Sequence, residues 1–285
     1  MPNVSEGRDA GAIAAIGHAL SSRARLLDVH SDVDHHRSVF TLAGIDGDEA
    51  LVESLVAGIA RARDLVDLRR HEGVHPRVGA ADVVPLVPIR PSDMDRACAA
   101  ALALGERVGE ELGLPVFLYG VVGEDRRPAF FRRGGPETLQ ARVDAGELAP
   151  DFGPPRLDPG AGAVLVGARV PLVAFNVDLA TDDVDVARAI AATVRESSGG
   201  FPGVQALGLA LAGRTQVSMN VLDTSRTALH EVVERVTEEA RQRGVAVLRG
   251  ELVGLVPASV AVAAAAGPLA LPGLDESRIL ELRLL

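Results

Sequence analysis

The chain has no lysine; all 29 of its basic side chains are arginine. That absence rules out a lysine Schiff base and with it ordinary pyridoxal-phosphate chemistry. It also rules out a phosphate-binding P-loop, whose signature ends in a lysine; base composition of the source genome is a sufficient reason for the bias. Tryptophan is absent as well, tyrosine occurs once and aromatics make up 3% of the sequence, so a core has to be assembled from Val, Leu, Ile and Ala. Branched aliphatics suit strands while Ala and Leu suit helices, which favours α/β packing. A single cysteine, Cys98, excludes an intrachain disulfide. It sits at helical spacing from Met94, Ala101 and Leu104 and reads as a buried thiol. The longest apolar run, ASVAVAAAAGPLALPG, is too short and too broken by Gly and Pro to span a membrane. The first residues, MPNVSEGRD, lack the basic and apolar regions of a secretory signal. A cytoplasmic protein without a membrane partner is the expectation.

What remains is 285 residues with 47% hydrophobic content and a formal net charge of −10. An acidic chain with short basic runs and few aromatics offers no nucleic-acid footprint. An acidic small molecule would need a local group of arginines to hold it against that field. Helical periodicity is expected over 9–21, 47–66, 92–112, 183–196 and 227–243. Strands are expected over 25–30, 37–44, 82–89, 115–120, 163–167, 171–179, 204–212, 214–222 and 245–254. From residue 171 the order is β-α-β-β-α-β, the split βαβ or ferredoxin-like arrangement, and the first 90 residues run in a similar order. The fold class expected is therefore α/β (α+β) with two such subdomains, 1–170 and 171–265, a ligand cleft between them and a C-terminal tail over 266–285. The Arg-, Gly- and Pro-rich stretch 121–162 reads as loops with one short helix.

Three segments carry candidate chemistry. HEGVHPRVGAADVVPLVPI joins a helix to a strand and holds His71, His75, Pro76, Arg77 and Gly79. A histidine on a loop set by Gly and Pro can exchange a proton near neutral pH, and it can equally be an ordinary surface residue. DVHSDVDHHRSVFTLAG brings His30, Asp32, Asp34, His35, His36 and Arg37 together between two strands. Imidazole and carboxylate suit Zn, Mn or Fe, but the spacing follows no strong metal signature and no metal ligand is assigned. In RTQVSMNVLD strict alternation puts Gln216, Ser218 and Asn220 on one face, where they either meet solvent or line a polar pocket. GAGAVLVG lacks the GxGxxG spacing and leads into a strand, so it is not a dinucleotide fingerprint.

Together and in this order, these segments resemble the formiminotransferase domain family. The match begins with PNVSEG, continues through LLDVH and RSVFT, and is most specific in HEGVHPRVGAADVVPLVPI, where the family reads close to HxGEHPRMGALDVCPFIPV. It goes on through LPVFLYG, PDFGP…GAR…AFNVDL, QVSMNVLD…TALH and LVGLVP, covering the chain to about residue 260. The resemblance implies transfer of a formimidoyl group from N-formimino-L-glutamate to tetrahydrofolate, a step of histidine breakdown, in a homodimer with folate as co-substrate. It implies His75 as the proton-transferring residue and the loop Gly153–Gly162, with Pro154, as the folate-binding segment. Arg37, Arg77 and Arg169 match family arginines and can hold carboxylates bidentately, with Arg156 a further candidate from the loop itself. Asn176, Gln216, Ser218 and Asn220 would offer donors and acceptors to the pterin or glutamate.

Two positions depart from the pattern. Mammalian members read LLDVD where this chain reads LLDVH, so a carboxylate becomes His30, a second candidate acid–base group. Ala161 stands where the family has Trp, removing an aromatic surface on which a pterin or aminobenzoyl ring could stack. Two rival readings are a metal-dependent hydrolase built on His30, Asp32, His35, His36 and His75, and a folate-binding protein without turnover.

Overall fold

The computed structural model describes residues 1–266 together with 274, 275 and 278; the expected tail over 266–285 therefore lies almost wholly outside the described residues. The chain divides into two units, Met1–Val170 and a second from Pro171 onward.

The first unit opens with β1 (Asn3–Val4), α1 (Ala10–Leu20), β2 (Arg25–Asp32), β3 (Arg37–Ala43), α2 (Asp48–Leu65) and β4 (Ala81–Leu86). Asp9 caps α1, its carboxylate accepting from the backbone N–H groups of Gly11 and Ala12. These four strands pair in the order β2-β3-β1-β4, all antiparallel, which is the ferredoxin-like order. The unit then continues with α3 (Met94–Leu112), β5 (Val116–Gly120), α4 (Pro128–Arg132), α5 (Gly135–Asp144) and β6 (Val164–Ala168). β6 pairs parallel to both β4 and β5, extending the sheet to six strands. Parallel strands need long crossovers and cover on both faces, and β4 and β6 are buried along their whole lengths.

Two cores meet this sheet. Against one face, α1, α2 and α3 bury Ile16, Leu20, Leu55, Ile59 and Leu104 with Phe40 and Val84. A second core gathers Val83, Phe117, Tyr119 and Leu165 with Phe131 of α4 and Leu139 of α5. The expected loop over 121–162 thus holds two helices. Both carry proline in the first turn (Pro128 and Pro136), where the missing N–H costs nothing, so residues that punctuate most sequences here start helices.

The second unit is β7 (Val173–Leu179), α6 (Val184–Val194), β8 (Val204–Leu211), β9 (Arg214–Val221), α7 (Leu229–Gln242) and β10 (Val247–Val253), followed by α8 (Ala258–Ala266). Its sheet order, β10-β7-β9-β8, is again ferredoxin-like, and every pairing is antiparallel. Val177, Leu179, Val217 and Val221 pack on Ile190, Val194, Val232 and Val236 of the two helices. The opposite face of this sheet carries Asn176, Asp178, Gln216, Ser218 and Asn220 by strict alternation. Among the described residues no helix is long and apolar enough to cross a membrane.

Candidate active site

β1 has only two residues, yet it lies between β3 and β4 and sets their register. Asn3 pairs with Val83 while Val4 pairs with Ala81, so Asp82 is the extra residue of a bulge. Bulges re-aim side chains. Here the bulge turns a carboxylate, 1% exposed, into a position where three donors reach it. The Val78 N–H donates to Oδ1 at 2.8 Å. Arg37 Nη1 and Arg132 Nη2 both donate to Oδ2, at 3.2 and 2.5 Å.

Arg37 stands at the start of β3 and links Asp82 to the histidine loop. Its Nε and Nη2 donate to Asn3 Oδ1 at 3.1 and 2.6 Å. Its Nη1 lies 2.7 Å from His75 Nδ1 and 3.2 Å from Nε2. His75 Nδ1 is also 2.7 Å from the carbonyl oxygen of Pro76. Each neutral tautomer satisfies part of these contacts, and only the Nδ1–H form gives the Pro76 carbonyl a donor. With Nδ1–H, the ring donates to Pro76 and Nε2 accepts from Arg37; with Nε2–H, Nδ1 accepts from Arg37. A protonated ring has no lone pair for Arg37 in either arrangement. Burial, followed by the positive charges of Arg37 and Arg132, holds the His75 pKa well below the usual imidazole range. His75 is consequently a neutral imidazole at pH 7, able to accept a proton.

The rest of the loop serves that geometry. Arg77 donates to the carbonyls of His71 (2.5 Å), Gly73 (3.1 Å) and His75 (3.3 Å), clamping the segment that carries His75. His71 stacks on His36 with ring centroids 4.1 Å apart, and its Nε2 donates to the His36 carbonyl at 2.9 Å. His36 adopts a left-handed backbone (φ 50°) in the β2–β3 turn and accepts from the Gly7 N–H through Nδ1. Burial pushes His71 down to about 4 and lowers His36 as well. Tyr119 and Arg169 share a hydrogen bond; burial raises the Tyr119 pKa to about 12 and lowers that of Arg169.

The structure brings His75, Arg37 and Arg77 together and adds three residues that the sequence reading did not single out, Asn3, Asp82 and Arg132. His30 is half-buried on β2, opposite Val39 and hence on the same sheet face as Arg37. The His35 ring lies 6.0 Å from that of His75, while His36 turns to His71 and Gly7. Among the described residues no group of three or more His, Cys, Asp or Glu is arranged to hold a metal ion.

The Gly153–Gly162 segment is shaped by packing. Gly153 (φ 78°) and Gly162 (φ 71°) adopt left-handed backbones, and an added Cβ would come within 2.3 Å of the Leu114 carbonyl oxygen or 2.1 Å of that of Val78. Ala161 is 3% exposed and belongs to the core under α2 and α3. Pro154 is half-buried and Arg156 exposed. In the second unit Gln216 Nε2 donates to Asp178 at 2.9 Å and to Glu251 at 3.4 Å, and Asn176 Nδ2 donates to Glu251 at 2.9 Å. Ser218 and Asn220 are half-buried beside them. Asp82 did leave a trace in the sequence, a lone charge inside the buried run ADVVPL. Arg132 left none among the four arginines of RRPAFFRR.

Known proteins match the chain from end to end. The N-terminal subdomain of the formiminotransferase domain matches residues 1–169, and the formiminotransferase domain matches residues 174–267. A glutamate formimidoyltransferase of Streptococcus pyogenes serotype M1 is 38% identical over 92% of this chain and 89% of its own length. One from Thermoplasma acidophilum is 38% identical over 99% of this chain and 95% of its own. The formimidoyltransferase-cyclodeaminase of Sus scrofa is 40% identical over 93% of this chain, which spans about half, 51%, of that longer protein. With both matched segments in order and each falling within one of the two units, the chain belongs to the formiminotransferase family.

Proposed function

We propose that this protein moves the formimidoyl group of N-formimino-L-glutamate onto N5 of tetrahydrofolate, with His75 as the acid–base residue. The observation that carries the reading is the imidazole of His75, held by Arg37 from β3 with burial lowering its pKa, in a chain of this family. N5 of the folate attacks the amidine carbon and a new C–N bond forms. His75 takes the proton that N5 loses. The same proton then goes to the glutamate nitrogen, whose bond to carbon breaks, releasing glutamate. One residue serves both transfers because it begins neutral and is protonated only in between.

Tetrahydrofolate as co-substrate, the folate-binding role of Gly153–Gly162, and contacts from Asn176, Gln216, Ser218 and Asn220 belong to this proposal, supported by the family match. So do a role in histidine breakdown, a cytoplasmic homodimer, and residues 1–170 and 171–265 as the two subdomains of the transferase. Arg37 and Arg77 act in it by holding His75 and its loop, since every nitrogen of the Arg37 guanidinium and both Nη atoms of Arg77 are engaged within the protein. The test is an assay of the purified protein with formiminoglutamate and tetrahydrofolate, following the methenyl-folate absorbance developed in acid. Turnover that disappears in His75→Ala supports the reading. Folded protein that binds folate without turnover would make it a folate-binding protein instead.

A further inference from the structure

Asp82 gathers more positive charge than it neutralises. Arg37 and Arg132 both reach Oδ2, and the side chains of Arg37, Arg132 and Asp82 are 14%, 13% and 1% exposed. Two guanidiniums against one carboxylate leave an excess positive charge in a largely buried place, next to an uncharged imidazole. The two arginines are not equivalent. Every donor-bearing nitrogen of Arg37 has a partner, Nε and Nη2 on Asn3 and Nη1 on Asp82 and His75. Arg132 uses Nη2 alone. Its Nε is buried without a partner, and its Nη1 has none among the described residues. Buried polar groups are ordinarily satisfied, so a cation with idle donors and no counter-charge of its own marks a place for an anion.

The chemistry of the proposed reaction says which anion that is, and to that extent the inference rests on the reading above. In the donor, the leaving nitrogen is bonded to the carbon that bears the α-carboxylate. The carboxylate carbon therefore lies about 2.5 Å from the nitrogen that His75 must protonate. The carboxylates of folate are separated from N5 by the whole aminobenzoyl group and cannot be at the same place. We propose that Arg132 binds the α-carboxylate of the amidine donor, and that Asp82 is the positioning residue that holds its guanidinium beside His75. Binding through Nη1, with Nη2 kept on Asp82, would orient the leaving nitrogen towards the imidazole.

The test compares Arg132→Gln and Arg132→Lys with the parent protein, using N-formiminoglutamate and N-formimino-4-aminobutyrate, which lacks the α-carboxylate. The parent should prefer the first substrate by roughly 10- to 100-fold in kcat/KM. Arg132→Gln should raise the KM of formiminoglutamate by a similar factor, lose the preference between the two donors, and leave the KM of tetrahydrofolate unchanged; Arg132→Lys should recover part of the loss. An Arg132→Gln protein that still discriminates as the parent does, or one whose defect lies in the KM of folate, overturns the proposal. If neither variant folds, a parent enzyme indifferent to the missing carboxylate overturns it just as well. The product glutamate supplies a readout free of turnover: it should raise the Tm of the parent and not of Arg132→Gln. A parent that binds glutamate in this way without turnover would sink the transferase reading and keep the anion site; no shift and no turnover would sink both.

Discussion

Among the described residues each unit has one buried carboxylate clasped by two arginines, and the surroundings of the two differ. Asp82 faces Arg37 and Arg132, beside His75 and, among the described residues, with no second carboxylate in direct contact. Asp178 faces Arg214 and Arg249, both at 2.9 Å, with Gln216 as a third donor and Glu251 beside Arg249. Two cations meet one anion in the first cluster and two anions in the second. A balanced cluster can hold a sheet together without outside help, whereas an unbalanced one next to a proton-accepting ring is shaped for a ligand. The two units thus share the ferredoxin-like strand order and differ in the charge balance of these clusters.

The largest effect should come from removing the ring itself. His75→Ala is expected to lower kcat by about 10²- to 10⁴-fold with folate affinity retained, while Gln216→Ala in the balanced cluster should act on KM. A comparable loss of kcat in both variants would break the comparison. Next come the carboxylates. Asp82→Asn strands two largely buried guanidiniums and should cost about 3–5 kcal/mol in urea unfolding, whereas Asp178→Asn should cost less, because Arg249 is 58% exposed and keeps Glu251 beside it. Only Asp82→Asn should also depress kcat, because only there does an arginine position the reacting imidazole.

Acid should separate the units too, since six of the seven histidines lie in the first. His71 and His75 are held below the unfolded imidazole value, His71 at about 4. Groups with a lowered folded pKa bind protons more readily when unfolded. The stability they contribute is full above the unfolded value of about 6.5 and is lost as pH falls towards the folded values. Hydrogen exchange between pH 7.5 and 5 should therefore show the first unit loosening while the second does not, and His71→Gln should reduce the difference. The smallest change concerns Ala161. Restoring the family's Trp should overpack the core and cost about 1–3 kcal/mol. A neutral or stabilising result would mean that the segment repacks to turn the ring outward.

Much of this was legible in advance. Alternation and helical spacing located the strands and helices of both ferredoxin-like units, because amphipathic elements announce themselves locally. His75 and Arg37 were legible through motif blocks, though nothing local says that residues 38 positions apart touch. The six-stranded extension was not legible, since pairing β4 with β6 depends on a crossover of nearly eighty residues. Asp82 and Arg132 escaped for a similar reason. A bulge is a property of two strands in register, and the meeting of α4 with β4 is a property of the packed core. Alternation gives the face of the row at Gln216 but carries no information about neighbouring strands, so the grip of Asp178 and Glu251 on Gln216 and Asn176 is not legible in it.

Arg132 follows directly on Phe131, which is fully buried on Phe117 with ring centroids 5.4 Å apart. The guanidinium is therefore aimed by an apolar wedge one residue away on a five-residue helix. Trimming that wedge, as in Phe131→Leu, would let the helix settle and swing the charge it carries, with no change to any polar group. Substrate preference in this protein can in that way drift through the size of a hydrocarbon side chain, and a search for its determinants confined to charged residues would miss the one that sets their direction.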